Sequence, residues 1–265
     1  MTTLLAKGRL GQSLADVEII DMHTHLYAGA PWKKSSADEL VWAMDRTGVK
    51  TAVVSSLVSG GFRMEQCNEE LLKAMRKYPG RILGYVYVWP GDAKAAKAEV
   101  EKRLSQGFVG IKMLVVMGFD YTDAGYAPAF EIANERHLPV LLHTYGGQRG
   151  LADQVPGLAD RYKGVNFVLA HAGAQKVEEY IQIANEHENT YLEICTSSAT
   201  YRAVETLATS VPVNRIVWGS DDLPLNMSHQ VGKVLGAEIP EEIKVKILST
   251  NARKLLSPRR GSRVR

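Results

Sequence analysis

The sequence predicts a closed (β/α)8 barrel, a single α/β domain, and three observations carry that expectation. Short β-branched apolar runs alternate with longer amphipathic segments along the whole chain, the pattern of βα units around a buried parallel sheet. Eight such runs can be counted, and no internal repeat or low-complexity linker divides them. A length of 265 residues, 45% of them hydrophobic, suits one barrel better than two ordinary domains. A doubly wound open sheet is the alternative.

Taken in order, the expected strands cover 17–22, 51–57, 82–88, 109–115, 139–143, 165–171, 190–194 and 215–219. The first helix is bounded by Ser36 as N-cap and by Gly48, where its apolar periodicity stops. Further helical periodicities cover 64–77, 93–105, 126–135, 175–186, 201–209 and 241–256. Between the fifth and sixth strands Pro156 and Gly157 interrupt the pattern, leaving a short helix that ends near Tyr162. The stretch after the eighth strand, with His229, reads as a loop. The barrel is expected to fill 1–257. Residues 258–265, with Arg259, Arg260, Arg263 and Arg265 after Pro258, read as a basic, disordered tail.

The formal charge of +3 is small beside 32 basic and 29 acidic residues, and its excess lies in that tail. The body offers no broad basic surface to neutralise phosphates, so nucleic acid is not an expected partner. Nor is a membrane, because no apolar segment has the length to cross one and the N-terminus lacks a secretory pattern. Two cysteines, Cys67 and Cys195, cannot build a disulfide framework and read as buried thiols in a reducing, cytoplasmic setting. The sequence leaves room for a homo-oligomer.

In such a barrel, chemistry sits at the C-terminal ends of the strands. The first run ends Asp21-Met22-His23-Thr24-His25, the fifth in His143, the sixth in His171 and the eighth in Ser220-Asp221. His23 and His25 are two apart, so a strand's period of two puts both imidazoles on one face. A nitrogen from His143 and an oxygen from Asp221 complete a mixed set of the kind borderline divalent metals accept, with a position left for water. A single histidine ending an apolar run is more often a satisfied polar group at a core edge. Four of the seven histidines at strand ends, with a terminal aspartate, outweigh that reading. His137 and His187 lie in or just after helix patterns and read as surface residues.

The segments IIDMHTH, PVLLHTYGG, NFVLAHAG, WGSDDLP and NARKLL resemble the successive signatures of the amidohydrolase superfamily, in particular the amidohydrolase-2 branch that includes aminocarboxymuconate-semialdehyde decarboxylase. The resemblance spans nearly the whole chain. It implies a metal-dependent enzyme, with His23, His25, His143 and Asp221 on metal-ligand positions and His171 on the sixth-strand histidine. That histidine is catalytic in mononuclear members and a ligand of the second metal in binuclear ones. Lys112 ends the fourth run in VGIKML, where binuclear members carry a carboxylated lysine bridging two metals. One metal is the expectation, zinc first, with manganese, iron or nickel fitting the same groups. Lys112 is then an unmodified group that contacts substrate or supports the ligands from behind.

The reaction first expected is hydrolysis of a C–N or C–O bond of a small molecule, an amide or lactone, by metal-activated water, with Asp221 accepting the proton and His171 orienting the water or stabilising charge. The alternative is non-oxidative decarboxylation of a small aromatic or enoic acid on the same ligands. A metal-binding barrel without catalysis is a further reading, against which the intact ligand set stands. Decarboxylation needs donors for a carboxylate, and Arg149 and Lys33 are candidates. Long loops at the catalytic face hold Tyr27, Trp32, Phe119, Tyr121 and Tyr145, aromatics able to wall a pocket for a planar or cyclic substrate. Asp21 and Asp222 are expected to orient the ligands.

Overall fold

The structure is a computed structural model that describes residues 3–27, 35–57, 63–115, 118–144, 151–172, 174–196, 199, 201–222 and 226–257, with 151–153 by backbone only. Its sheet has eight parallel strands in chain order: β1 (Ile19–Leu26), β2 (Val49–Ser56), β3 (Ile82–Tyr87), β4 (Gly110–Met113), β5 (Pro139–Leu142), β6 (Asn166–Leu169), β7 (Thr190–Glu193) and β8 (Ile216–Val217). Each strand pairs with the next. The seam between the last and first is closed by the Met22 N–H donating to the Trp218 carbonyl at 3.0 Å and by the Ser220 and Asp221 N–H groups donating to the His23 carbonyl at 3.1 and 2.6 Å. The result is a (β/α)8 barrel.

Around it run α1 (Leu4–Arg9), α2 (Ala37–Thr47), α3 (Met64–Lys77), α4 (Ala93–Ser105), α5 (Ala127–Arg136), α6 (Leu151–Arg161), α7 (Val177–Glu186), α8 (Ala203–Ser210) and α9 (Met227–Gly236). The chain then passes through α10 (Glu241–Val245), a π-helical stretch (Lys246–Thr250) and α11 (Asn251–Leu256). The α2 boundaries show how local chemistry sets an element. Ser36 and Glu39 form a reciprocal capping box at its start, and Gly48 ends it in the left-handed region at φ +77°.

Two apolar layers hold the barrel together. Inside it pack Ile20, Met22, Val53, Tyr85, Leu141, Val168 and Val217, with Ala252 and Leu255 of α11. Outside, the opposite faces of the strands meet the helices in a larger cluster that includes Val54, Val86, Ile111, Phe167 and Trp218. Among the described residues no helix is long and apolar enough to cross a membrane.

Three expectations change. The first strand runs on to Leu26, with all eight residues buried, so both histidines of its motif lie within the sheet. The segment after β8 is helical over α9, and His229 lies exposed in its first turn. Pro156 sits inside α6, whose neighbours Val155, Leu158 and Ala159 are buried; docking that face offsets the missing N–H.

Candidate functional site

At the C-terminal mouth of the barrel, β1 brings His23 and His25 together with their Nε2 atoms 3.2 Å apart. Each ring is gripped from behind. Glu193 Oε2, at the end of β7, lies 2.8 Å from His23 Nδ1, and Ser55 Oγ of β2 lies 2.8 Å from His25 Nδ1. Past β8 the backbone turns through a left-handed residue, Asp221 at φ +50°, which aims Oδ1 to 3.1 Å from His25 Nε2 and 3.6 Å from His23 Nε2. A non-glycine residue pays for that conformation, and such strain concentrates at functional sites.

Asp21 ties the two strands at this seam. Its Oδ1 accepts the N–H groups of His23 and Ser220, each at 3.0 Å, and its Oδ2 accepts the Ser220 hydroxyl. The Thr24 hydroxyl and the His25 N–H both donate to the Asp222 carbonyl. The aspartates beside the motif therefore fix the backbone that carries it.

His143 and His171 form an adjoining group. His171 also has a left-handed backbone, at φ +64°. Its Nε2 lies 3.1 Å from His143 Nδ1, and its Nδ1 lies 3.1 Å from the Cys195 carbonyl. His23, His25 and Asp221 offer ligand atoms all within 4.8 Å of one another, and His143 falls outside that mutual limit. The fully buried Lys112 reaches from β4 to place Nζ 3.2 Å from His23 Nε2.

Burial sets the protonation states. Desolvation, reinforced by the Lys112 charge, holds His23 well below the usual imidazole range and pushes His143 down to about 2. His25 and His171 are also lowered by burial. All four rings are thus neutral at pH 7, the form that binds metal. Burial works to raise the Asp221 carboxyl, but the facing imidazoles of His23 and His25 overcome it and hold it below the carboxylate range. Lys112 is depressed by burial to about 8, and burial together with Asp221 pushes Asp222 up to about 6.

These donors fit a divalent cation. The two Nδ1 atoms on β1 are engaged by Glu193 and Ser55, which leaves both Nε2 atoms converging beside a carboxylate oxygen. A second group, His23, His171, Glu193 and Cys195, also has its ligand atoms within 4.8 Å of one another, but these atoms are engaged mainly in hydrogen bonds among themselves.

Other expected residues disperse. Trp32, Lys33, Tyr145 and Arg149 lie outside the described residues. Tyr27 packs toward His25 with ring centroids 5.7 Å apart, and Phe119 stands edge-on to Trp89. Tyr121 is buried, and its hydroxyl donates to the His143 carbonyl, so it braces the site and does not wall a pocket. His187, expected at the surface, is buried, whereas His137 is exposed. Cys67 is buried as expected, beside Met64 and Tyr87. Sequence reasoning missed Glu193, Ser55 and the placement of Cys195 against the histidines. The signal for Glu193 was available: an acidic residue ending an apolar barrel strand, in TYLEIC.

The family model described as amidohydrolase matches residues 20–257. No curated protein is matched by sequence. Among solved structures, a 5-carboxyvanillate decarboxylase from Novosphingobium aromaticivorans, complexed with manganese and 4-hydroxy-3-methoxy-5-nitrobenzoic acid, is 15% identical over 92% of this chain and 97% of its own, with a TM-score of 0.74. A 2,6-dihydroxybenzoate decarboxylase from Rhizobium is 17% identical over 90% of this chain and 98% of its own, with a TM-score of 0.72. A 4-oxalomesaconate hydratase from Rhodopseudomonas palustris is 18% identical over 90% of this chain and 95% of its own, with a TM-score of 0.67.

Proposed function

Because this chain belongs to the amidohydrolase family, a family of enzymes, we propose that it is a metal-dependent, non-oxidative decarboxylase of a small aromatic or enoic acid. One divalent cation is held by His23, His25, His143 and Asp221. The observation that carries this reading is Lys112. It is fully buried, its Nζ stands beside His23, and among the described residues no carboxylate lies within 4 Å of it. An unpaired buried ammonium is costly, and an anionic substrate group removes that cost. A neutral amide or lactone offers no such charge.

Bound there, the cation supplies Lewis-acid stabilisation of substrate oxygen. The protein's own groups do the rest. Lys112 pairs with the substrate's negative charge, and the neutral imidazoles around it supply no competing positive charge. Asp221 and His171 are the acid/base groups: the ionised Asp221 takes up one proton from a substrate hydroxyl or from solvent, and that proton is delivered to the carbon as its bond to carbon dioxide breaks. The decarboxylases among the structural neighbours support this reading, as does the manganese with which one of them is complexed. Zinc remains the first expectation for the resident metal, with manganese its closest rival. Arg149, Trp32 and Tyr145 are proposed to contact substrate.

Hydrolysis is the second reading, favoured by the family's own description. There Asp221 takes a proton from the attacking water. The test is product analysis over dihydroxybenzoates, carboxyvanillate, lactones and amides in 18O-labelled water. Release of carbon dioxide with no label in the organic product supports decarboxylation; label incorporated with the carboxylate retained contradicts it.

A further inference from the structure

We infer that Glu193 is a positioning residue that fixes the tautomer of His23 and so presents its Nε2 lone pair to the cation; this rests on the metal-binding reading of the site. Glu193 is wholly buried at the end of β7, where both of its oxygens act as acceptors. Oε1 accepts the Cys195 backbone N–H at 2.6 Å, and Oε2 lies 2.8 Å from His23 Nδ1 and accepts the Cys195 thiol at 2.9 Å. A carboxylate can only accept, so the proton between it and the ring resides on Nδ1. Lys112 points to the same tautomer from the other side. Its ammonium only donates, and it lies 3.2 Å from His23 Nε2, which is therefore the accepting nitrogen.

The barrel is built to admit this carboxylate. A Cβ placed on Gly219 would lie 2.6 Å from Glu193 Oε1 and 2.6 Å from His23 Cβ, so the absence of a side chain at the end of β8 gives the pair its room. Glu193 is reached from four elements: the ring from β1, the His171 N–H past β6, the thiol and N–H from the β7 end, and the glycine from β8.

Glu193→Gln isolates the tautomer from the shape. The Cys195 N–H demands the amide oxygen at the Oε1 position, so the amide nitrogen falls at the Oε2 position, opposite Nδ1. That donor drives the ring proton to Nε2, where it blocks the ligand lone pair. Two measurements on the full chain read the consequence. In the metal-free protein, 15N ring spectra should show the His23 signal changing from an Nδ1–H to an Nε2–H pattern. In competition with a chromophoric chelator, zinc affinity should fall about 10- to 100-fold, the usual effect of losing such an outer partner. The melting temperature of the metal-free protein should stay within a few degrees. Cys195→Ala keeps the carboxylate on the ring, and its zinc affinity should stay within about threefold of the parent.

An unchanged tautomer together with parental zinc affinity in Glu193→Gln would overturn the inference. If the parent itself bound no zinc or manganese, the functional reading would fail, while the ring spectra would still decide the role of Glu193. Should Glu193→Gln not fold, Glu193→Asp, which withdraws the acceptor by one methylene, is read in the same two measurements and should show weaker zinc binding.

Discussion

Asp222 shows how much of this site is written in single side chains. It follows Asp221, it is buried, and its Oδ2 has no hydrogen-bond partner. Burial and the neighbouring negative charge raise its carboxyl to about 6 from the usual 3.8. A carboxyl whose folded pKa is raised is more easily protonated when folded, so its contribution is intact below the unfolded value and is lost as pH rises through the folded one. Asp222→Asn removes the penalty of the charged form. In metal-free protein, urea unfolding should find the variant and the parent equally stable near pH 4, with the variant ahead by pH 7. The full shift corresponds to about 3 kcal/mol, and partial solvent screening reduces the expected gain to about 1–2 kcal/mol. A gain that was constant from pH 4 to 7 would contradict the assignment. At this scale the sequence singled out His23, His25, His143, His171 and Asp221, because each ends an apolar run, and the structure brings His23, His25 and Asp221 within 4.8 Å of one another. It did not reveal Ser55 or Glu193 as partners of the rings, since a hydrogen bond across 30 or 170 residues leaves no local pattern. His143 illustrates the same limit: its position at a strand end was legible, but its pairing with His171 was not.

Elements were legible where periodicity and punctuation agree. Ser36, Glu39 and Gly48 announced α2, and the structure forms the capping box and the left-handed end that they imply. Ser36→Ala should cost about 1 kcal/mol in urea unfolding, the ordinary value of a lost N-cap. Gly219→Ala should cost more, about 1–3 kcal/mol, because its Cβ has no room between Glu193 and His23 and the packed seam must shift. Reversal of that order would argue against the tight packing at the end of β8. The missed elements have physical causes. Gly232 and Gly236 weaken the helical signal of α9, which forms because Met227, Val231 and Val234 pack into the outer core. The polar residues of the histidine motif masked the end of β1, where burial inside the barrel mouth overrides their preference for water.

For the whole molecule, eight βα units and a seam of backbone hydrogen bonds bring residues about 200 positions apart into contact, as the 199-residue separation of Asp21 and Ser220 shows. Closure of the barrel is thus a condition for the site: the bonds that join β1 to β8 are the ones that set His23 beside Asp221. The proposed site has three imidazoles and one carboxylate share one cation. Its most direct test is metal content after exhaustive chelation and re-addition of zinc or manganese, measured by elemental analysis beside carbon dioxide release. One equivalent per chain is predicted, with activity lost on chelation and restored on re-addition, and at least a 100-fold loss of affinity in Asp221→Ala or His25→Ala. Two equivalents with a carboxylated Lys112 would replace the one-metal site by a binuclear one. Undiminished turnover by the chelated, metal-free protein would contradict the account outright.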